Sequence, residues 1–161
     1  MSLKKRSSLY CSLLLLVALR AQAQPASGAH VVAVETPQNV KVKPGATVEV
    51  PLRLIIRGGY HINSNAPAED YLIPTALTWE SSALTTKGVT FPKAESVRYE
   101  FAEKPLLVFS GLVTVVSRFT VAADATRGPL TLSGKLRYQA CTDKMCLAPR
   151  TLPVSVPVTV D

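Results

Sequence analysis

Apolar and polar residues alternate along several stretches of this sequence, a two-residue period that is typical of strands burying one face. The clearest run covers residues 48–57, and similar runs cover 107–121, 130–139 and 151–160. Glycine and proline turns separate these runs, and the remainder shows no long stretch with the 3.6-residue period of a helix. Short strands at this spacing predict an all-β chain folded as one antiparallel β-sandwich.

Two segments depart from the simple alternation. Residues 61–73 show no clean period and contain two asparagines and a proline, so we predict an irregular crossing loop there. In the run 151–160, Pro153 and Pro157 stand at positions of the same parity. Because proline cannot donate a hydrogen bond, this pattern predicts an edge strand with one side facing solvent.

The first residues have the three parts of a secretory signal. Lys4, Lys5 and Arg6 precede an apolar core at 9–19, and Ala21-Gln22-Ala23 forms a cleavage site. This pattern predicts a signal peptide over 1–23, a mature N-terminal segment with the first strand over 24–36, and the domain over 37–161. An uncleaved N-terminal anchor is the alternative, although the apolar run is short of the roughly 20 residues that cross a membrane.

The net charge of +7 depends partly on the signal, which contains four of the 18 basic residues. The remaining 14 basic residues face 11 acidic ones and are scattered, without a basic stripe or interleaved aromatic residues. The sequence therefore gives no support for nucleic-acid binding. No later apolar run approaches the length of a membrane span, so we expect a mature form that does not span the membrane.

Cys141 and Cys146 are the only cysteines outside the predicted signal. A chain that reverses within the four intervening residues would place the two cysteines opposite each other, at the distance a disulfide needs. Export also favours disulfide formation. In the alternation from Leu130 onward the even positions are apolar and Cys141 falls on the polar side. We therefore expect an accessible sulfur at the end of a strand.

The cysteine pair has three readings. As a structural staple it closes so short a loop that chain entropy provides only about 2 kcal/mol. As a redox pair it would lie at a strand end, where access and thiolate fraction set the exchange rate. Residue chemistry alone does not separate these two readings. The third is a Cu(I) site formed by Cys141, Met145, Cys146 and His61, which offer soft ligands but no spaced motif.

Two motifs resemble the N-terminal periplasmic domain family of the thiol:disulfide interchange protein DsbD. The first is Tyr138-Gln139-Ala140-Cys141 with Cys146 and the following Pro149, which is similar to the active-site hairpin of that family. The second is the run 59–65 followed by 71–75, which resembles an early strand and loop of the same domain. The resemblance extends from about residue 40 to 160 and implies an immunoglobulin-like β-sandwich.

The resemblance also implies roles for single residues. Cys141 and Cys146 would be the catalytic pair, with Cys146 forming the mixed disulfide with partner proteins. A cap loop would correspond to residues 98–104, with Phe101 shielding the sulfurs, Tyr99 beside it and Glu100 influencing the thiols. The alternative for Phe101 is a core aromatic on a strand with Val97 and Tyr99. His61 and Asn63 are expected to be architectural, and no cofactor or metal is implied.

The chain departs from the family pattern in two ways. The family's cysteines are usually one residue further apart, and this sequence contains neither a multi-span membrane domain nor a thioredoxin-like domain. We therefore expect an exported thiol–disulfide oxidoreductase, in the periplasm or otherwise outside the cytoplasm, that depends on separate proteins. The donor would be a thioredoxin-like protein or a membrane thiol transporter, and the acceptors would be exported proteins with disulfides. An immunoglobulin-like binding adaptor with a structural disulfide, and a copper-binding protein, are the alternatives.

Overall fold

The computed structural model describes residues 30–80 and 83–161, and the predicted signal peptide lies outside these residues. Within them every regular element is a β-strand, as the alternation predicts. The twelve strands are β1 (Val32–Glu35), β2 (Val40–Val42), β3 (Thr47–Ile56), β4 (His61–Asn63), β5 (Ala76–Trp79), β6 (Leu84–Thr90), β7 (Glu95–Val97), β8 (Leu106–Phe109), β9 (Leu112–Val121), β10 (Gly128–Tyr138), β11 (Ala140–Cys141) and β12 (Arg150–Val160).

The two largest layers form an immunoglobulin-like sandwich. One sheet has the order β1-β3-β9-β6 and is antiparallel throughout. The other has the order β2-β12-β10-β5, in which only β2 runs parallel to its neighbour. Their inward-facing side chains alternate with exposed ones, as in β3, where Val50, Leu52 and Leu54 are fully buried. These side chains form the main core between the layers.

A third sheet of short strands, with the order β11-β4-β8-β7, lies at one end of the sandwich and is antiparallel. One of its faces contributes Ile62, Phe109 and Ala140 to the main core. The other face carries Leu106 and Val108, which belong to a second and smaller cluster with Leu72 and Ala102. This third sheet therefore has two covered faces, and the candidate site lies on it.

Three details of the strand predictions need correction. The crossing loop predicted over 61–73 begins with β4, whose three residues are all buried and so show no alternation. The run 107–121 is divided at Gly111, where φ is 60°, into β8 of the third sheet and β9 of the first. The tail strand β12 lies on an edge only as far as Pro157, because β2 pairs with Val158–Val160.

No helix long and apolar enough to cross a membrane occurs in the residues that the structure describes.

Candidate functional site

The two cysteines face each other across a tight hairpin and are joined as a disulfide. Cys141 ends β11, and Cys146 opposes it at a Cα–Cα distance of 3.9 Å. The amide of Thr142 donates a hydrogen bond to the carbonyl of Met145, and the amide of Leu147 donates one to the carbonyl of Ala140. Both bonds have a length of 2.8 Å. These bonds flank the cysteine pair, which therefore occupies a non-hydrogen-bonded position, where side chains of opposite strands approach most closely.

Thr142 fixes the turn that brings the cysteines together. Its hydroxyl oxygen accepts hydrogen bonds from the amides of Lys144 and Met145, each at 3.2 Å. A side-chain oxygen that satisfies amides two and three residues ahead stabilises a tight reversal. The turn therefore closes with four residues between the cysteines, as their spacing predicts. Asp143, Lys144 and Met145 at its tip are exposed.

The prediction of an accessible Cys141 is wrong, since Cys141 is fully buried. The alternation did identify its face, because Tyr138 and Ala140 belong to the main core and Cys141 points away from it. That second face is covered in turn by the smaller cluster, with Tyr99 packed against it. Cys146 is only half-buried, so the two sulfurs differ in access.

Gln139 connects the hairpin to both neighbouring segments. Its side-chain oxygen accepts hydrogen bonds from Asn63 Nδ2 at 3.1 Å and from the Ile73 amide at 3.3 Å. Its Nε2 donates to the carbonyl of Leu147, just beyond Cys146, at 3.2 Å. Asn63 Nδ2 also donates to the carbonyl of Ile73, at 3.0 Å. One amide side chain thus fixes β4, the loop after it and the second arm of the hairpin.

Three aromatic rings stack beside the disulfide. The ring of His61 lies 4.2 Å from that of Tyr99, with 16° between their planes, and Tyr99 lies 5.6 Å from Phe101 at 19°. Phe101 is 42% exposed. Glu100, which lies between Tyr99 and Phe101 in the sequence, is exposed to solvent. The stack joins β4 of the third sheet to the segment in which the resemblance predicts a cap.

Phe101 and Cys146 line the same surface cleft. The cleft is lined by Tyr71, Leu72, Phe101, Gln139 and Cys146. Tyr71 is 70% exposed, and Met145 and Leu147 of the hairpin are also exposed. Cys146 therefore lies in a cleft with two exposed aromatic side chains, whereas Cys141 is fully buried.

Burial shifts the pKa of both titrating side chains in the ring stack, His61 and Tyr99. It lowers the pKa of His61, which is 4% exposed, so the neutral imidazole is favoured. It raises the pKa of Tyr99, and the nearby carboxylate of Glu95 raises it further. Both rings are therefore uncharged at neutral pH. His61 Nε2 is buried and has no hydrogen-bond partner.

The predicted soft ligands do not form a metal site as they stand. With both cysteines in a disulfide, no thiolate is present for Cu(I) to bind. Across residues 30–80 and 83–161, no group of three or more His, Cys, Asp or Glu side chains is placed to hold a metal ion.

A family model described as "Thiol:disulfide interchange protein DsbD, N-terminal" matches residues 28–157, which is most of the chain. The chain belongs to the DsbD N-terminal domain family. The resemblance carried by the cysteine hairpin is thereby confirmed. No curated protein sequence matches the chain.

Among solved structures, the N-terminal periplasmic domain of ScsB from Proteus mirabilis has a TM-score of 0.56 at 12% identity. The match covers 85% of this chain and 49% of that chain, so this chain spans about half the length of that one. At this identity the similarity shows only that the two chains share a fold, which is that of a DsbD N-terminal-like domain.

Two further matches have lower scores. A family 123 glycoside hydrolase from Clostridium perfringens gives a TM-score of 0.36 at 9% identity, covering 81% of this chain and 28% of that chain. A structure from work on aggregative adherence fimbriae of enteroaggregative Escherichia coli gives 0.37 at 11% identity, covering 82% and 100%. Scores this low do not establish a shared fold.

Several residues around the disulfide were not assigned a part by the sequence. The motif that contains Gln139 predicts no contact for its side chain, and Tyr71 is predicted only as part of a loop. The resemblance predicts that His61 and Asn63 are architectural, and Asn63 Nδ2 donates hydrogen bonds to Ile73 and Gln139. His61 differs from Asn63, because its Nε2 is buried without a hydrogen-bond partner. No local sequence signal indicates that these segments meet at the hairpin.

Proposed function

We propose that this chain is a periplasmic thiol–disulfide exchange domain that transfers electrons through Cys141 and Cys146. The observation that carries the proposal is the unequal access of two bonded sulfurs, one fully buried and one at the edge of an apolar cleft. Membership of the DsbD N-terminal domain family supports it. A disulfide that serves only as a staple has no need of a reachable sulfur beside a cleft.

The burial of Cys141 sets the direction of attack. A thiolate on an electron donor attacks Cys146 Sγ, the S–S bond breaks, and Cys141 leaves as the thiolate and then takes up a proton. A second donor thiol displaces the mixed disulfide, so that the domain gains two electrons and the donor becomes a disulfide. The same steps in reverse reduce an exported acceptor. Cys146 is thus the sulfur that bonds to partners, in agreement with the resemblance.

Phe101 is proposed as the shield of the sulfur pair. It lines the cleft beside Cys146 and stacks on Tyr99, which stacks in turn on the buried His61. A ring that is partly exposed loses little when it swings away, so a docking protein can displace it. Glu100 has a weaker case, since its side chain is exposed on this segment.

The partners are proposed by chemical class. A thioredoxin-like protein or a membrane thiol transporter would reduce the domain, and exported proteins with disulfides would oxidise it. The exposed side chains around Cys146, which are Tyr71, Phe101, Met145 and Leu147, offer an apolar contact for such a partner.

A trapping experiment tests the proposal. With Cys141→Ser, the remaining Cys146 thiol should accumulate mixed disulfides with periplasmic proteins, detected by non-reducing electrophoresis after acid quenching and thiol blocking. With Cys146→Ser, the buried Cys141 should trap less by about tenfold or more, because exchange requires access. An absence of mixed disulfides in both variants, with the fold intact, would contradict the proposal and favour a binding adaptor with a structural disulfide.

A further inference from the structure

His61 lies directly across the β11–β4 ladder from Cys141. Side chains that oppose each other in an antiparallel pair project from the same face, with Cβ atoms about 4.5–5.5 Å apart. The next pair on this face, Asn63 and Gln139, already makes a side-chain hydrogen bond of 3.1 Å. The imidazole and the Cys141 side chain therefore project from the same covered face of neighbouring strands.

The unbonded Nε2 of His61 needs an explanation, because buried polar atoms in folded proteins nearly always have a hydrogen-bond partner. In the disulfide form Cys141 has no S–H group. Reduction of the disulfide creates one, on the residue directly opposite His61. The nitrogen would thus gain a donor only in the reduced protein.

We propose that His61 Nε2 accepts the proton of the Cys141 thiol when the domain resolves a mixed disulfide; this rests on the exchange function proposed above. Cys146 is then bonded to the partner. As the S–H proton passes to Nε2, Cys141 Sγ attacks Cys146 Sγ and the bond between Cys146 and the partner breaks. The partner leaves as a thiolate with the electron pair, and the domain returns to its disulfide form.

The surroundings of the ring allow this role. Burial keeps His61 neutral and so able to accept a proton. The ring also borders a solvent groove through which the proton can leave, and that groove is lined by Gly59, Tyr60, His61, Tyr99, Ser110 and Asp143.

The charged and titrating groups around His61 come from the cysteine hairpin, from β7 and the segment after it, and from the turn before β4. Asp143 of the hairpin lies on the same groove. Tyr99 stacks on the ring, and the carboxylate of Glu95 in β7 accepts a hydrogen bond of 3.1 Å from Ser110. On the other side, the guanidinium of Arg57 lies 4.6 Å from the ring centre of Tyr60. Desolvation by burial is the cause of the lowered pKa of His61, so the imidazolium formed during the step is short-lived.

The test follows the reduced protein as it reacts with 5,5′-dithiobis(2-nitrobenzoate), a small disulfide with a coloured leaving thiolate. The first release reports the attack of Cys146 on the reagent, and the second reports the attack of Cys141 on Cys146. In His61→Phe, which keeps an aromatic ring on Tyr99, we expect the second release at pH 7 to slow by about tenfold or more, since general-base help is typically worth at least that. The first release should stay within about twofold.

The pH profile separates a proton acceptor from a merely structural residue. In the natural protein the second release should be nearly independent of pH above about 6.5, where an imidazole is neutral. In His61→Phe it should rise about tenfold per pH unit, because only the fraction of Cys141 already ionised can react. His30→Phe, which changes the exposed histidine, is the matched control and should behave as the natural protein.

Equal second-release rates and equal pH profiles in the natural protein and His61→Phe would overturn the inference. If His61→Phe does not fold, His61→Gln, which keeps a polar side chain without a basic nitrogen, replaces it with the same expected results. The assay needs no protein partner, so its outcome is distinct from that of the trapping experiment. A failure to trap partners would remove the exchange function, whereas unchanged kinetics would remove only the role of His61.

Discussion

The main sandwich and the third sheet of this domain differ in the length of their strands and in the number of side chains that form their cores. The sandwich has strands of 10 or 11 residues in β3, β9, β10 and β12, whereas the strands of the third sheet have only two to four. Among the described residues, 23 buried side chains form the main core and four form the smaller cluster. The disulfide lies on the weaker of the two parts.

This difference separates folding from chemistry. Burial of a large apolar side chain contributes about 1.5–3 kcal/mol, so the main core supplies most of the stability. Regions with few buried apolar contacts open locally at much lower cost than the whole domain. We therefore expect the cover over Cys141 to open for exchange while the sandwich stays folded.

The largest expected effect is on the free energy of unfolding, when one aromatic ring is removed from the main sandwich and, in a separate variant, one from the segment beside the third sheet. Phe119 is fully buried and packs edge-to-face on Trp79, with ring centres 5.4 Å apart. Phe119→Ala should lower the free energy of unfolding by about 3–5 kcal/mol, because it leaves a cavity in the main core. Phe101→Ala removes a ring that is 42% exposed and should cost less than about 1 kcal/mol. Urea unfolding measures both, and equal losses would contradict the comparison.

Reduction of the disulfide should have the next largest effect. Opening so short a loop should lower the free energy of unfolding by about 2 kcal/mol in the chain-entropy model. Amide hydrogen exchange should show the faster opening in β11, β4, β8 and β7, with β3 and β12 unchanged. Faster exchange throughout the sandwich on reduction would show that the disulfide holds the whole domain.

Gln139 offers a test of how the hairpin is held. Gln139→Ala removes its hydrogen bonds to Asn63, Ile73 and Leu147 and should lower the free energy of unfolding by about 1–2 kcal/mol. Asn39→Ala is the matched control, because its bond to Thr159 is exposed and should be worth less than about 0.5 kcal/mol. If Gln139→Ala lowers the free energy of unfolding no more than the control does, the Gln139 side chain does not hold the hairpin in place.

A smaller effect is expected from pH. Burial lowers the pKa of His61 below its value in the unfolded chain, so below pH about 6.5 the unfolded state binds a proton that the folded state does not. This contribution to stability is present above that pH and is lost as the pH falls, by at most about 1.4 kcal/mol per pH unit. Urea unfolding between pH 7.5 and 5, values chosen to bracket the unfolded pKa, should show a smaller loss in His61→Phe. An equal loss would contradict it.

The sequence predicts the long strands well because each buries one face. The alternating runs of β3, β10 and β12 can be read directly, and so can the opposition of Cys141 and Cys146 from their spacing. The alternation does not predict β4, where both faces are covered and all three residues are buried. Nor does it predict the burial of Cys141, since the segments that cover it are distant in the chain and meet only in the fold.

The equilibrium between the dithiol and disulfide forms in glutathione and dithiothreitol buffers tests the central claim most directly. If Cys141 and Cys146 exchange electrons with partners, the pair should have a reduction potential above about −300 mV, in the range of redox-active pairs. A potential well below about −300 mV, where structural disulfides of secreted proteins resist reduction, would contradict an electron-transfer role for this hairpin.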